Sequence, residues 1–548
     1  MKLNLICKVV MLAAIAAVGS LRADSTKNNN GSKTVKLFVR EVPITVLGRT
    51  VKVATIDLSD GVQGFNPEQS DGFHVELVNQ LPVPTSIHWH GLILPNLMDG
   101  VPYLTQEPIP PGGSYKYDFP LKQSGTYWMH SHYGLQEQQL ASAPMVIRAP
   151  EQSKLADAEF TVMLSDFSFT SPQEILKSLM GNMGGMHAKS DTKGMSMSKP
   201  DETLVVQQWD PASDRLVSRQ INGPPPDIDV KYDALLADRR TLEEPEVFAV
   251  KPGQTVLLRL IAASSATNFF IDTGDLDATV IATDGEDVKP LKGNFFQLAI
   301  AQRLDLRVTI PAKGGVFPIL ALGEGSTLQT GFLLATPGAE TAKPGLGIRG
   351  QRMAGGLDNT QESRLEAEEP LPDRPVQRSL PSVLGGNMAS YTWTINGASY
   401  PNRKSLNVKE GERVELVNTN ESGMSHPMHL HGHVFEVTEI DGQKITGAKR
   451  DTILVPPKST IKIVFDADNP GIWAYHCHIV YHLAAGMFTV LKYEGADEKF
   501  WQPDKTKLEL ENPLELGSAG ALWREMTDGL IINATFATWE SSRRDERQ

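Results

Sequence analysis

Residues 73–91 read FHVELVNQLPVPTSIHWHG, and residues 410–432 read EGERVELVNTNESGMSHPMHLHG. Both contain VELVN, both break at a polar or Pro-rich stretch, and both resume on a segment dense in histidine. In VELVN apolar and polar residues alternate, which predicts a strand with one buried face. A third phrase, KPGQTVLLRLIAASSATNFF (251–270), repeats the strand and the break without the histidines. Short strands bounded by Gly and Pro turns, in a unit repeated three times, predict an all-β protein of three tandem sandwich domains.

At 548 residues the chain exceeds one ordinary domain. We place the units at 33–150, 151–345 and 386–500. A charged, Pro-rich stretch, LDNTQESRLEAEEPLPDRP, lies in a linker over 346–385, and 501–548 forms a C-terminal extension with no assigned role. One helix is expected at SPQEILKSL, with Ser171 as cap, Pro172 at the first helical position and Glu174 closing a capping box. GLGIRG (345–350) matches a dinucleotide-binding pattern by spelling alone, because it follows Lys-Pro rather than a strand.

The net charge of −13 argues against nucleic acid as a partner. Lys2 and Lys8, the apolar run Val9–Val18 and the small residues after it read as a signal peptide over 1–23, cut after Gly19 or Ala23. The run is shorter than the ~20 residues of a membrane span. The mature protein is therefore expected to be exported, periplasmic or secreted, without a membrane span, and monomeric. Only Cys7 and Cys477 occur in the sequence, and Cys7 leaves with the signal. A lone cysteine between two histidines in an exported protein points to a metal rather than a disulfide.

Ten of the thirteen histidines fall in four clusters. These are His88 and His90; His130 and His132; His426, His429 and His431; and His476, His478 and His482. On a strand, residues i and i+2 share a face and i+1 takes the other. Each H-x-H pair thus offers two imidazoles to one cavity, and HCH aims Cys477 away from His476 and His478. Eight imidazoles would surround a metal cluster, and Cys477 with two more histidines would form a separate site. Two histidines and a cysteine with a weak axial methionine is the donor set of a blue-copper centre, and Met487 lies ten residues past the cysteine. Zinc is the competing metal, although structural zinc sites favour several cysteines.

HWHG, HSH, HPMHLHGH and HCHIVYHLAAGM together resemble the four copper motifs of the multicopper oxidases, in order and placement, across the mature chain to about residue 500. The resemblance implies three cupredoxin-like Greek-key β-sandwiches carrying four copper ions. By it, His426, Cys477, His482 and Met487 would hold the blue copper. His88 and His429 would hold the lone copper of a trinuclear cluster, and His90, His130, His132, His431, His476 and His478 its coupled pair. His433 would not be a ligand. The implied reaction passes single electrons from a reductant through Cys477 to the cluster, where dioxygen is reduced to water.

Relatives often carry a carboxylate in the last motif, but Val480 and Leu483 are not acidic here. Asp99, in LPNLMDG, matches the other acidic position and is the expected proton-handling residue; otherwise it is an Asp-Gly turn. A second acid is expected to be missing. Met180, Met183, Met186, Met195 and Met197 crowd around His187, and thioethers select Cu(I). This segment and YDALLADRRTLEEPEVFAV resemble bacterial copper-resistance oxidases, which implies Cu(I), Fe(II) or a phenol as reductant. A laccase acting on phenols, a non-catalytic copper-sequestering protein and a copper nitrite reductase are the alternatives. A sequestering protein would not need four H-x-H pairs, and a nitrite reductase would lack the complete set.

Overall fold

The structure is a computed structural model that describes residues 25–27, 33–150, 155–181, 203–339 and 344–500. The signal peptide, Met183, Met186, Met195, Met197 and the extension 501–548 lie outside the described residues.

Three two-sheet sandwiches follow one another, and the repeated phrase takes the same place in each. Phe73–Asn79 runs parallel to Lys33–Val46 and antiparallel to Ser114–Phe119. Thr255–Ala262 runs parallel to Ala158–Phe167 and antiparallel to Arg303–Thr309. Arg413–Asn420 runs parallel to Arg378–Asn387 and antiparallel to Thr460–Asp466. A parallel neighbour cannot be reached by a hairpin, so the chain must cross between sheets, which gives the Greek-key connectivity. Phe73–Asn79 alternates buried and half-buried residues as its pattern dictates.

The histidines belong to the second sheet of the first and third units. Those sheets are the three strands Ile87–His90, Gly125–Ser131 and Ser142–Ile147, and a five-stranded sheet that includes His426–Leu430, Thr452–Val455 and Ile472–Cys477. Strand alternation then sorts the side chains. Trp89, between His88 and His90, is fully buried in the core, with its ring 4.7 Å from Phe73 and 4.8 Å from Tyr117. Replacing such a tryptophan by alanine typically costs about 3–5 kcal/mol, so core packing fixes the strand and the strand aims the histidines the other way.

The expected helix forms at Pro172–Met180 with the full capping box between Ser171 and Glu174. The region 346–385 is more than a spacer. Leu357, Leu365 and Ala367 are buried, and Gln361 hydrogen-bonds Gln207 and Gln297 of the middle unit. Glu362 pairs with the buried Arg450 of the third unit at 2.7 Å. Its charge and prolines suggested solvation, and 372–377 are exposed, but Glu362 and Glu366 pair with Arg450 and Lys289 across the seam. GLGIRG is irregular chain with no helix after it. No helix of the described residues is long and apolar enough to cross a membrane.

Candidate metal centre

Sheet register brings the pairs together. His88 stands directly opposite His130, and His429 directly opposite His476. Directly opposed residues share a face, so each pairing doubles the imidazoles on that face. The two sheets then meet. His88 Nε2 lies 3.4 Å from His429 Nε2, and His476 Nε2 lies 3.0 Å from His431 Nε2 and 3.3 Å from His132 Nε2. His478 lies with its ring 4.9 Å from that of His130 and 5.1 Å from that of His90. Three sets offer ligand atoms all within 4.8 Å of one another: His88, His429 and His431; His88, His90 and His130; and His132, His431 and His476.

Burial, reinforced by mutual repulsion, holds His90, His130, His132, His429, His431 and His478 well below the ordinary imidazole pKa, and His476 down to about 4. The neutral form is thereby favoured, and it leaves one nitrogen of each ring as an acceptor. His90 Nδ1, His130 Nε2 and both nitrogens of His478 have no hydrogen-bond partner. Buried acceptors converging without donors are costly, and a cation among them removes that cost. An all-imidazole donor set suits copper.

The second site lies on the other face of HCH. Cys477 Sγ is 3.6 Å from Nδ1 of both His426 and His482, and those nitrogens are 3.1 Å apart. Burial pushes the Cys477 thiol up, so the thiolate would form only as a metal binds it and displaces the proton to solvent. Ser422 Oγ hydrogen-bonds His426 Nε2 at 2.7 Å, and Asp229 Oδ2 lies 2.7 Å from His482 Nε2. Trp393 packs on His482 at 3.9 Å. His482 sits on the short helix Val480–Ala484, and Met487 is fully buried, its carbonyl accepting from Cys477 N–H at 3.1 Å. His433 has both ring nitrogens engaged, by His431 O and Tyr493 Oη. His74 is paired with Asp118 away from the cluster.

Carboxylates back the imidazoles. Asp99, fully buried, is no simple turn residue. Its Oδ1 is 3.1 Å from His88 Nδ1 and its Oδ2 is 2.9 Å from His431 Nδ1. Gly100 makes this possible: at φ +81° a Cβ there would lie 1.8 Å from Ile87 O. The last motif carries no acid, as Val480 and Leu483 lead one to expect, but two carboxylates from elsewhere in the chain stand against the imidazoles. Glu137 Oε2 lies 2.9 Å from His130 Nδ1, and Asp451 Oδ1 lies 3.0 Å from His90 Nε2. Both acids come from outside the last motif: Glu137 from the 3-10 turn Gln136–Gln139 and Asp451 from between Lys449–Arg450 and Thr452–Val455. Asp451 is clamped in turn by Arg303 of the middle unit, at 2.8 Å. Gly91, the glycine of HWHG, leaves room for this pair: a Cβ would lie 2.4 Å from Asp451 Oδ2 and 2.7 Å from Arg303 Nη2.

Beside His482 a cavity of about 210 Å³ is lined by Asp227, Asp229, Glu324, Asn268 and Met424, among others. Its lining includes three carboxyl groups and no lysine, arginine or histidine. Burial, then the neighbouring Asp229, pushes the Asp227 carboxyl up. A positive guest relieves both effects.

An all-imidazole cluster and an imidazole–thiol site joined by one peptide are a specific arrangement, and comparison with known proteins agrees. The chain is 34% identical over 489 residues to the multicopper oxidase MmcO of Mycobacterium tuberculosis, covering 88% of this chain and 90% of that protein. The chain belongs to the multicopper oxidase family. Family models described as multicopper oxidase match residues 39–152, 158–336 and 373–497. The enzyme is also 28% identical to copper resistance protein A of Escherichia coli, over 84% of this chain and 92% of the relative. Identity to the iron transport multicopper oxidase fio1 of Schizosaccharomyces pombe is 28%, over 81% and 73%. Among solved structures, Fet3p, a multicopper oxidase that functions in iron import, superposes with a TM-score of 0.66 at 21% identity, covering 88% of this chain and 96% of that one. The enzyme is an oxidoreductase with three cupredoxin-type domains, and its cofactor is copper, four ions in a blue mononuclear site and a trinuclear cluster.

Proposed function

We propose that His426, Cys477, His482 and Met487 hold the blue copper, that His88 and His429 hold the lone copper of the cluster, and that His90, His130, His132, His431, His476 and His478 hold its pair. Copper, when bound, supplies the one-electron chemistry and the reduction of dioxygen to water. The chain supplies the rest. Cys477 is joined to His476 and His478 through the backbone, so the two sites communicate through a few covalent bonds. The carboxyl of Asp99, 3.1 Å from His88 Nδ1 and 2.9 Å from His431 Nδ1, would relay protons one at a time toward the cluster, where dioxygen reduction consumes them.

The reductant we propose is a small cation, Cu(I) or Fe(II). The observation that carries this is Asp229: its carboxylate touches His482 Nε2 at 2.7 Å and lines the acidic cavity. A guest there sits one side chain from the blue site. The cavity, about 210 Å³, admits a partly hydrated ion, and its three carboxyl groups suit a positive guest better than a neutral phenol. The thioether of Met424 in the same wall favours Cu(I). Met180, at the exposed end of the helix Pro172–Met180, opens the methionine-rich segment, and we assign Met180, Met183, Met186, Met195 and Met197 to Cu(I) recruitment. The names of relatives in copper resistance and iron transport support this class of reductant. Together with the apolar N-terminal run they support export to the periplasm and a role in copper tolerance or metal homeostasis.

Steady-state kinetics on Cu(I), Fe(II) and a bulky phenol tests the proposal. Asp227→Asn should lower kcat/KM for the cations about tenfold, the 1.4 kcal/mol of one nearby charge, and change the phenol less than about twofold. Equal losses on all three would refute the cation site and favour a laccase.

A further inference from the structure

Four consecutive polar residues, Gln136–Gln139, form a 3-10 turn just after HSH, and all four are buried. Burying such a run is costly unless each group is matched. Gln136 is matched by Thr85, Ser131 and the carbonyl of Pro84. Gln138 is matched by the phenols of Tyr232 and Tyr481 and by Asp166. These anchors leave Glu137 no freedom, and they aim it at the cluster. Its Oε2 lies 2.9 Å from His130 Nδ1 and its Oε1 lies 3.5 Å from His478 Nδ1. Oε1 and His478 Nδ1 are both buried and without hydrogen-bond partners, although they face each other. The ring of His130 is further fixed by Trp128, stacked at 4.4 Å.

We propose that Glu137 is a positioning residue that holds both His130 and His478, one from each sheet, with Nδ1–H turned to its two oxygens and Nε2 turned to the copper pair. Asp99 stands in the same relation to His88 and His431 on the other side. One carboxylate on each flank thus clamps imidazoles from the first and third domains. The inference rests on the assignment of His130 and His478 to the pair. Without a cation the arrangement is unfavourable: Glu137 Oε1 and both ring nitrogens of His478 are buried with no hydrogen-bond partner. A group kept for the fold would stabilise the copper-free chain. A group kept for the metal would cost stability until the metal arrives.

Glu137→Gln separates these cases. An amide has one acceptor oxygen, so it can serve one imidazole and must set an N–H₂ against the other. We expect the copper-free variant to melt at or above the wild-type temperature, and the copper-loaded variant to melt below it. The blue absorption should persist, while cluster copper is released at about 10–100-fold lower chelator concentration. Glu137→Asp, which keeps the charge but loses reach, should fall between. Equal destabilisation of the copper-free and copper-loaded forms, failure of the copper-free variant to fold, or wild-type retention of cluster copper would each overturn the inference. The wild-type copper count, measured alongside, tests the ligand assignment separately.

Discussion

Replacing Arg303 by methionine removes the cation at the centre of a buried network joining the three domains. Its guanidinium is fully buried and donates to both carboxyl oxygens of Asp451 and to the carbonyls of Thr126, Ala301 and Asp284. Asp451 in turn holds His90 Nε2 at 3.0 Å. The middle domain supplies no ligand to the proposed cluster, yet through Arg303 it fixes the partner of one. Arg303→Met strands Asp451 without a cation. Asp284 keeps only Arg450, 3.4 Å away. Removing one partner of a buried pair costs about 3–5 kcal/mol, which corresponds to a fall of roughly 6–20 °C in melting temperature for a domain of this size. Calorimetry should show that loss in the copper-free protein as well. His90, no longer anchored, should bind its copper about 10–100-fold more weakly. Adding Asp451→Asn should restore part of the stability, because the stranded charge is gone, without restoring copper affinity. A single variant that melts within about 2 °C of wild type and keeps all its copper would refute the clamp.

Cys477→Ser should abolish the blue absorption and turnover while the cluster keeps its three coppers, as read by metal analysis and visible spectra. Asp99→Ala should slow reoxidation of the fully reduced enzyme by about 10²–10⁴-fold in stopped-flow with dioxygen, leaving reduction of the blue site nearly unchanged. Asp238, whose carboxyl burial pushes up to about 7, gives a pH test. A raised carboxyl stabilises the fold below its unfolded pKa of about 4, and that contribution is lost as pH rises through about 7. Asp238→Asn should therefore raise the unfolding free energy at pH 8 more than at pH 5, by about 1–2 kcal/mol for this partly exposed side chain, read by denaturant titration at the two pH values.

Period-two alternation and the H-x-H spacing made much of the site legible, because both are local consequences of strand geometry. In HWHG the spacing alone puts His88 and His90 on one strand face and the residue between them on the other. The acids were less legible. Asp99 could be found because it sits in a short stretch near the first motif. Glu137, Asp451 and Asp229 could not, since their partners lie in other strands or other domains. The contact of Asp451 with His90 spans 361 positions. The one local signal for Glu137 was a run of four polar residues between leucines, which reads as a surface loop. The same limit applies at Gln361 and Glu362. Composition marks that stretch as solvated, and only the distant Gln207, Gln297 and Arg450 explain why it is packed. Electrostatic matching across a fold leaves no period in the sequence.

The most direct test of the ligand assignment is an anomalous-difference map at the copper absorption edge from crystals of the copper-loaded enzyme. The account predicts four copper peaks. One lies between His426, Cys477 and His482; one between His88 and His429; one among His90, His130 and His478; and one among His132, His431 and His476. Fewer peaks among the H-x-H pairs, or a peak with no copper edge at Cys477, would contradict it.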